Sequence, residues 1–191
     1  MTERIIAIGD VHGCSAALAA LVRAIAPTAL DTLVFLGDYI DRGPDSRGVV
    51  EQVIALGKRC TVVPLLGNHE DMVLAAPEGQ SELDFWMKFG GMEALASYGY
   101  GGGRGIRPGA LRGILPAEHL EFFKGCRDYY ETVQHIFVHA RTCPCTSRSG
   151  AACAGPRSRR SRAPLFRQGR HRRPHSAEER GASGPGLPQM H

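Results

Sequence analysis

"DTLVFLGDYIDRGPDSRGVVEQVIALGKRCTVVPLLGNHE" runs from Asp31 to Glu70 and reads as strand, helix, strand. "DTLVFLGD" is a short apolar run of buried-strand type that ends in Gly37-Asp38. "SRGVVEQVIALGK" has apolar residues at helical spacing and stops near Gly57. "CTVVPLLGNHE" is another apolar run, ending in Gly67-Asn68-His69-Glu70. Working outward, "RIIAIGD" (Arg4 to Asp10) repeats the strand pattern, and "SAALAALVRAIAP" (Ser15 to Pro27) repeats the helix, closed by its proline. Strands alternating with helices predict βαβ units and a parallel sheet, hence an α/β fold.

Downstream, "SELDFWMKFGGMEALASYG" (Ser81 to Gly99) predicts helix with a break at Gly90-Gly91, and "GYGGGRGIRPG" predicts a loop. "LPAEHLEFFKGC" (Leu115 to Cys126) predicts a further helix, and "YYETVQ" and "HIFVHA" two adjacent strands ending near Ala140. Residues 141–191 then change composition. They hold 11 Arg, no Lys and two acids, so this segment is net +9 and residues 1–140 are net −5 within a chain of +4. Leu165, Phe166, Leu187 and Met190 are the only large apolar residues there. So few cannot offset the entropy of folding, which predicts a disordered Arg/Pro/Gly-rich tail after a domain of residues 1–140. With Phe166 as its one aromatic the tail has little to stack on bases, so nucleic acid is not expected as a partner.

Six cysteines are present, and Cys143-Pro144-Cys145 lacks a second pair spaced for zinc. No run reaches signal-peptide or membrane-spanning length, so the expectation is a cytoplasmic protein with free thiols and no membrane partner.

Polar clusters close successive apolar runs: "GDVHG" (Gly9 to Gly13), "GDYIDRG" (Gly37 to Gly43), "GNHE" (Gly67 to Glu70) and "FVHA" with His139. Strand ends of a parallel sheet share one edge, where ligands bind. Asp10, His12, Asp38, Asp41, Arg42, Asn68, His69 and His139 are therefore expected to converge. Asp10 and His12, two apart on an extended strand end, would point the same way. One Gly-Asp after a strand is an ordinary turn, and one strand-end histidine an ordinary polar residue; four such clusters in succession are not explained that way. The Asp, His and Asn donors form an N/O set without thiolate that suits Mn, Fe or Zn. Two such metals sharing a carboxylate activate water for phosphoester cleavage.

In that order, "GDVHG", "GDYIDRGPDSRGVV", "LLGNHE" and "FVHA" resemble the PPP-type serine/threonine phosphatases of the calcineurin-like metallophosphoesterase superfamily. The likeness is to the bacterial and phage, lambda-phosphatase-like branch, to which "WMKFGGMEALASYG" is also similar. The resemblance covers residues 4–140. It implies a β-sandwich flanked by helices and a protein phosphatase using a hydroxide that bridges two divalent metals, with manganese the first expectation. Asp10, His12 and Asp38 would hold one metal, and Asp38, Asn68 and His139 the other. Arg42 would bind the substrate phosphate. His69 would be the general acid, oriented and kept protonated by Asp41. Phosphoproteins or other phosphomonoesters are the implied substrates. The same motifs serve symmetrical bis(5'-nucleosyl)-tetraphosphate hydrolases, which makes dinucleoside polyphosphates the alternative; an impaired remnant of such an enzyme is the other.

Family members carry later elements that residues 141–191 do not show: a W-x-R-type stretch with a second phosphate-binding Arg, and a Gly-His-Thr element with a further metal-binding His. The resemblance thus implies that the C-terminal strands are missing. Written in permitted codons and read one base on, Arg173 to Gly181 gives Gly-His-Thr, which predicts that the tail is out of frame.

Overall fold

The computed structural model describes residues 3–102 and 105–140. The Arg-rich segment 141–191 and the elements sought in it lie outside the described residues. Strands β1 (Ile5–Ile8), β2 (Thr32–Phe35) and β3 (Thr61–Pro64) alternate with helices α1 (Ser15–Ile25) and α2 (Ser46–Leu56). They form a parallel sheet of order β1-β2-β3, with Ile5 opposite Thr32 and Thr32 opposite Thr61. This is the α/β architecture expected from the alternation.

Side chains on β2 alternate between the faces of the sheet. Leu33 and Phe35 enter the main core with Leu18 of α1 and Val49, Val50, Val53 and Leu56 of α2. Val34 joins Val63 and Leu65 in a smaller cluster against Tyr130 and Phe137. Both faces of β2 are covered, so its four residues are all buried and read as one continuous apolar run. Each such side chain contributes roughly 1.5–3 kcal/mol on burial. Helix α1 ends at Ala26 (φ 46°), whose N–H bonds to Val22 O at 2.9 Å, and Pro27 prevents continuation.

A helical stretch follows β3: α3 (Asn68–Ala75), α4 (Gln80–Trp86), a wide turn over Met87–Gly91, α5 (Met92–Ser97), α6 (Leu111–Ile114) and α7 (Ala117–Gly125). Gly90 (φ 108°) breaks the helix where the glycine pair predicted it. The chain then returns to the sheet, with Arg127 bridging in parallel to Leu65. Strands β4 (Tyr129–Glu131) and β5 (Ile136–Val138) form an antiparallel hairpin, with the Tyr130 and Phe137 rings stacked. Two expectations are corrected. His139 follows a strand of this hairpin and not of the parallel sheet. Asn68 and His69 open helix α3 and do not extend a strand. Among the described residues no helix is long and apolar enough to cross a membrane.

Candidate active site

The strands β1 and β2 stop at Ile8 and Phe35, and Asp10, His12, Asp38, Asp41 and Arg42 lie in the turns that follow. These turns are strained. His12 (φ 42°), Asp38 (φ 54°), Asp41 (φ 72°) and Arg42 (φ 63°) are four of the five described non-glycine residues with positive φ. Left-handed backbone costs a non-glycine residue about 1–2 kcal/mol and persists only where the surroundings impose it. Here Asp10 and His12 converge through this turn geometry and not through an extended strand end.

Glu70 does much of the imposing. It is fully buried. Its Oε2 accepts from the backbone N–H groups of Asp38 (2.9 Å) and Gly67 (3.0 Å), and its Oε1 from those of Tyr39 (2.9 Å) and Ile40 (3.4 Å). Burial pushes its carboxyl up to about 8, with the charge of Asp38 next in effect; the backbone N–H groups pull the other way. All four partners are donors, so the geometry is built for the ionised carboxylate. The first loop is bound to the second in turn: Val11 and His12 N–H groups donate to Asp38 O at 3.0 and 2.9 Å. Gly37 (φ 106°) lets the loops approach, since a Cβ there would meet Gly67 Cα at 2.7 Å and His139 Nδ1 at 2.9 Å.

Asp10, His12, Asp38, Arg42, Asn68 and His139 all line one cleft of about 390 Å³, beside Leu36, Val138 and Ala140. Donor atoms gather in two groups that share Asp38: Asp10, Asp38 and His139, and His12, Asp38 and His69. Asp10 thus groups with His139, where the resemblance had paired it with His12. His139 Nδ1 lies 2.7 Å from Leu36 O and His12 Nδ1 2.9 Å from Ile40 O, so each neutral ring donates there and presents its Nε2 lone pair to the cleft. His139 Nε2 faces Asn68 Oδ1 at 3.0 Å and Asp38 Oδ1 at 3.4 Å. With Nδ1 of a neutral His139 ring donating to Leu36 O, three lone-pair donors meet here, the arrangement a divalent cation satisfies, so these residues fit one.

Asp41 and His69 are fully buried and lie below the cleft wall. His69 Nδ1 donates to Asp41 Oδ2 at 2.6 Å. Arg42 spans the two imidazoles, Nη2 donating to His69 Nε2 at 3.1 Å and Nη1 to His12 Nε2 at 3.2 Å. Burial pushes the Asp41 carboxyl up, while the bonds from His69 and Trp86 pull it down. Two residues here carried no expected role. Glu70 stood inside a quoted motif. Trp86 stood in a predicted helix with no role of its own, yet its indole N–H reaches both Asp41 oxygens.

A family model described as calcineurin-like phosphoesterase matches residues 3–141. The symmetrical bis(5'-nucleosyl)-tetraphosphatase of Burkholderia pseudomallei strain 668 is 43% identical over 74 residues, which cover 39% of this chain and 26% of that protein. The protein of the same name from Bordetella pertussis strain Tohama I is 44% identical over 81 residues, covering 41% of this chain and 28% of the relative. The chain therefore spans about a quarter of the length of these curated relatives. A solved metallophosphoesterase from Sphaerobacter thermophilus is similar at 23% identity and a TM-score of 0.40, over 67% of this chain and 42% of that one.

Proposed function

The chain belongs to the calcineurin-like phosphoesterase family, and on that premise we propose that its cleft hydrolyses dinucleoside tetraphosphates symmetrically, releasing two nucleoside diphosphates. The observation that carries hydrolysis is the N/O donor set gathered around Asp38 with Arg42 on the same cleft wall. The named tetraphosphatase relatives favour this substrate over the phosphoprotein that the motif order first suggested.

In this reading Asp10, His12, Asp38, Asn68 and His139 hold two divalent metal ions, with Asp38 touching both. Manganese, iron and zinc all suit the set. Bound there, the metals would supply Lewis acidity toward phosphoryl oxygens and activate water for in-line attack. Arg42 takes the phosphate, its planar fork matching two phosphoryl oxygens. To do so it leaves His12 and His69, which frees the His69 Nε2 atom it now covers. Nδ1–H of His69 stays on Asp41, so Nε2, once Arg42 has left it and it has taken up a proton from solvent, is the atom that passes that proton to the leaving oxygen. The three cysteines among the described residues, Cys14, Cys60 and Cys126, are free thiols, and a cytoplasmic location is part of the same proposal.

The test compares diadenosine tetraphosphate with a phosphoserine peptide, with and without Mn²⁺. The expected outcome is metal-dependent release of ADP, faster than phosphate release from the peptide. Faster turnover of the peptide would restore the protein phosphatase reading. Metal binding without turnover of either would mark an impaired remnant.

A further inference from the structure

Trp86 is the only tryptophan in the chain and is fully buried at the end of α4. Its Nε1–H donates to Asp41 Oδ1 at 3.0 Å and Oδ2 at 2.9 Å. Asp41 Oδ2 also accepts from His69 Nδ1, so indole, carboxylate and imidazole form one buried line. Filling the core asks only for an aromatic ring; nothing in packing requires the one polar atom of an indole to meet a carboxylate. A buried carboxylate, in contrast, needs its lone pairs occupied, and the direction from which they are occupied sets where it points.

Local backbone supports the same contact. Gly90 lies one helical turn beyond Trp86, and a Cβ on it would stand 2.5 Å from Arg42 N and 3.1 Å from Asp41 Cβ. The turn Met87–Gly91 therefore rests directly on the left-handed Asp41–Arg42 backbone. Asp41 N–H is fixed from the other side by Ser46 Oγ at 3.0 Å. Residues 45 positions apart in sequence thus meet through both side chain and backbone.

We propose that Trp86 is a positioning residue, whose indole N–H sets the orientation of Asp41 and through it that of the His69 ring. This rests on the proposed role of His69 as proton donor to the leaving oxygen. Its geometric half stands without that role and is tested separately.

With one tryptophan in the full chain, its indole ¹H–¹⁵N signal needs no assignment. That signal should exchange slowly with solvent and should shift on Asp41→Asn. Fast exchange, or an unchanged signal in a folded Asp41→Asn chain, would overturn the proposal whether or not the chain turns anything over. Trp86→Phe keeps a buried ring and removes the donor. Across a series of aryl phosphates it should lower kcat about ten- to a hundredfold for phenyl phosphate, and little for p-nitrophenyl phosphate, whose leaving group needs no proton. KM should stay within a factor of two or so of the wild-type value, since Arg42 is untouched. An equal loss for every leaving group would reduce Trp86 to a packing residue and overturn the proposal.

Discussion

Asp38→Asn is expected to remove bound divalent metal and turnover together, each by more than about a hundredfold. Losing a partner that merely supports a metal ligand costs about ten- to a hundredfold, and Asp38 is placed to be a ligand itself. It is the one carboxylate common to both donor groups in the cleft. The substitution keeps size and shape, and the amide oxygen it introduces can still accept the His69 N–H that Asp38 Oδ1 now accepts at 3.2 Å. What it removes is the negative charge that two cations would share. His69→Asn is the comparison. His69 is fully buried, is not among the residues lining the cleft, and has its Nδ1 committed to Asp41, so this variant should keep its metal and lose turnover. Metal analysis of both purified variants beside an activity assay reads the difference. Equal metal loss in the two would show that His69 is a ligand and that the division of roles is wrong.

Glu70→Ala should be the most damaging substitution for the fold of the site. It strands the buried N–H groups of Gly67, Asp38, Tyr39 and Ile40 together. An unsatisfied buried donor costs about 1–3 kcal/mol, so a loss of at least about 2 kcal/mol is expected even if two of the four find other partners. Glu70→Gln separates charge from shape. Its amide N–H₂ would face N–H donors, so it too should destabilise, by about 1–3 kcal/mol. Urea unfolding of the three chains checks both values. A Gln variant as stable as wild type would mean that the native carboxyl already carries a proton.

The parallel sheet was legible because buried strands leave a plain mark: Leu33, Val34 and Phe35 are apolar without alternation since both faces of β2 are covered. The cleft was legible because Asp10, His12, Asp38 and Asn68 stand next to glycines after such runs. Other parts leave no local mark. Helix α3 opens with the polar Asn68, His69, Glu70 and Asp71, and its apolar Met72, Val73 and Leu74 are consecutive rather than spaced, so no helical period precedes it. What starts this helix is Glu70 reaching back to Gly67 N–H, a contact rather than a pattern. Left-handed backbone at Asp38, Asp41 and Arg42 leaves no mark either, since contacts from other residues hold it: Glu70 takes the N–H of Asp38 and Ser46 Oγ that of Asp41. The bond from Trp86 to Asp41 was hidden because the two stand 45 positions apart, and only the fold reveals what the indole N–H meets. Substrate choice was not legible: the motifs resemble those of phosphoprotein phosphatases and of dinucleoside tetraphosphate hydrolases alike, and the proposed substrate rests on the names of the relatives.

In the proposed metal centre His12 and His139 present their Nε2 lone pairs to the cleft. Pulsed electron paramagnetic resonance of Mn²⁺ added to the full chain, grown with ¹⁵N-labelled histidine, tests it most directly. Hyperfine coupling from imidazole nitrogen is expected, weaker in His139→Ala and lost in the His12→Ala, His139→Ala double variant. Tightly bound Mn²⁺ with no histidine coupling, or coupling unchanged in the double variant, would contradict it.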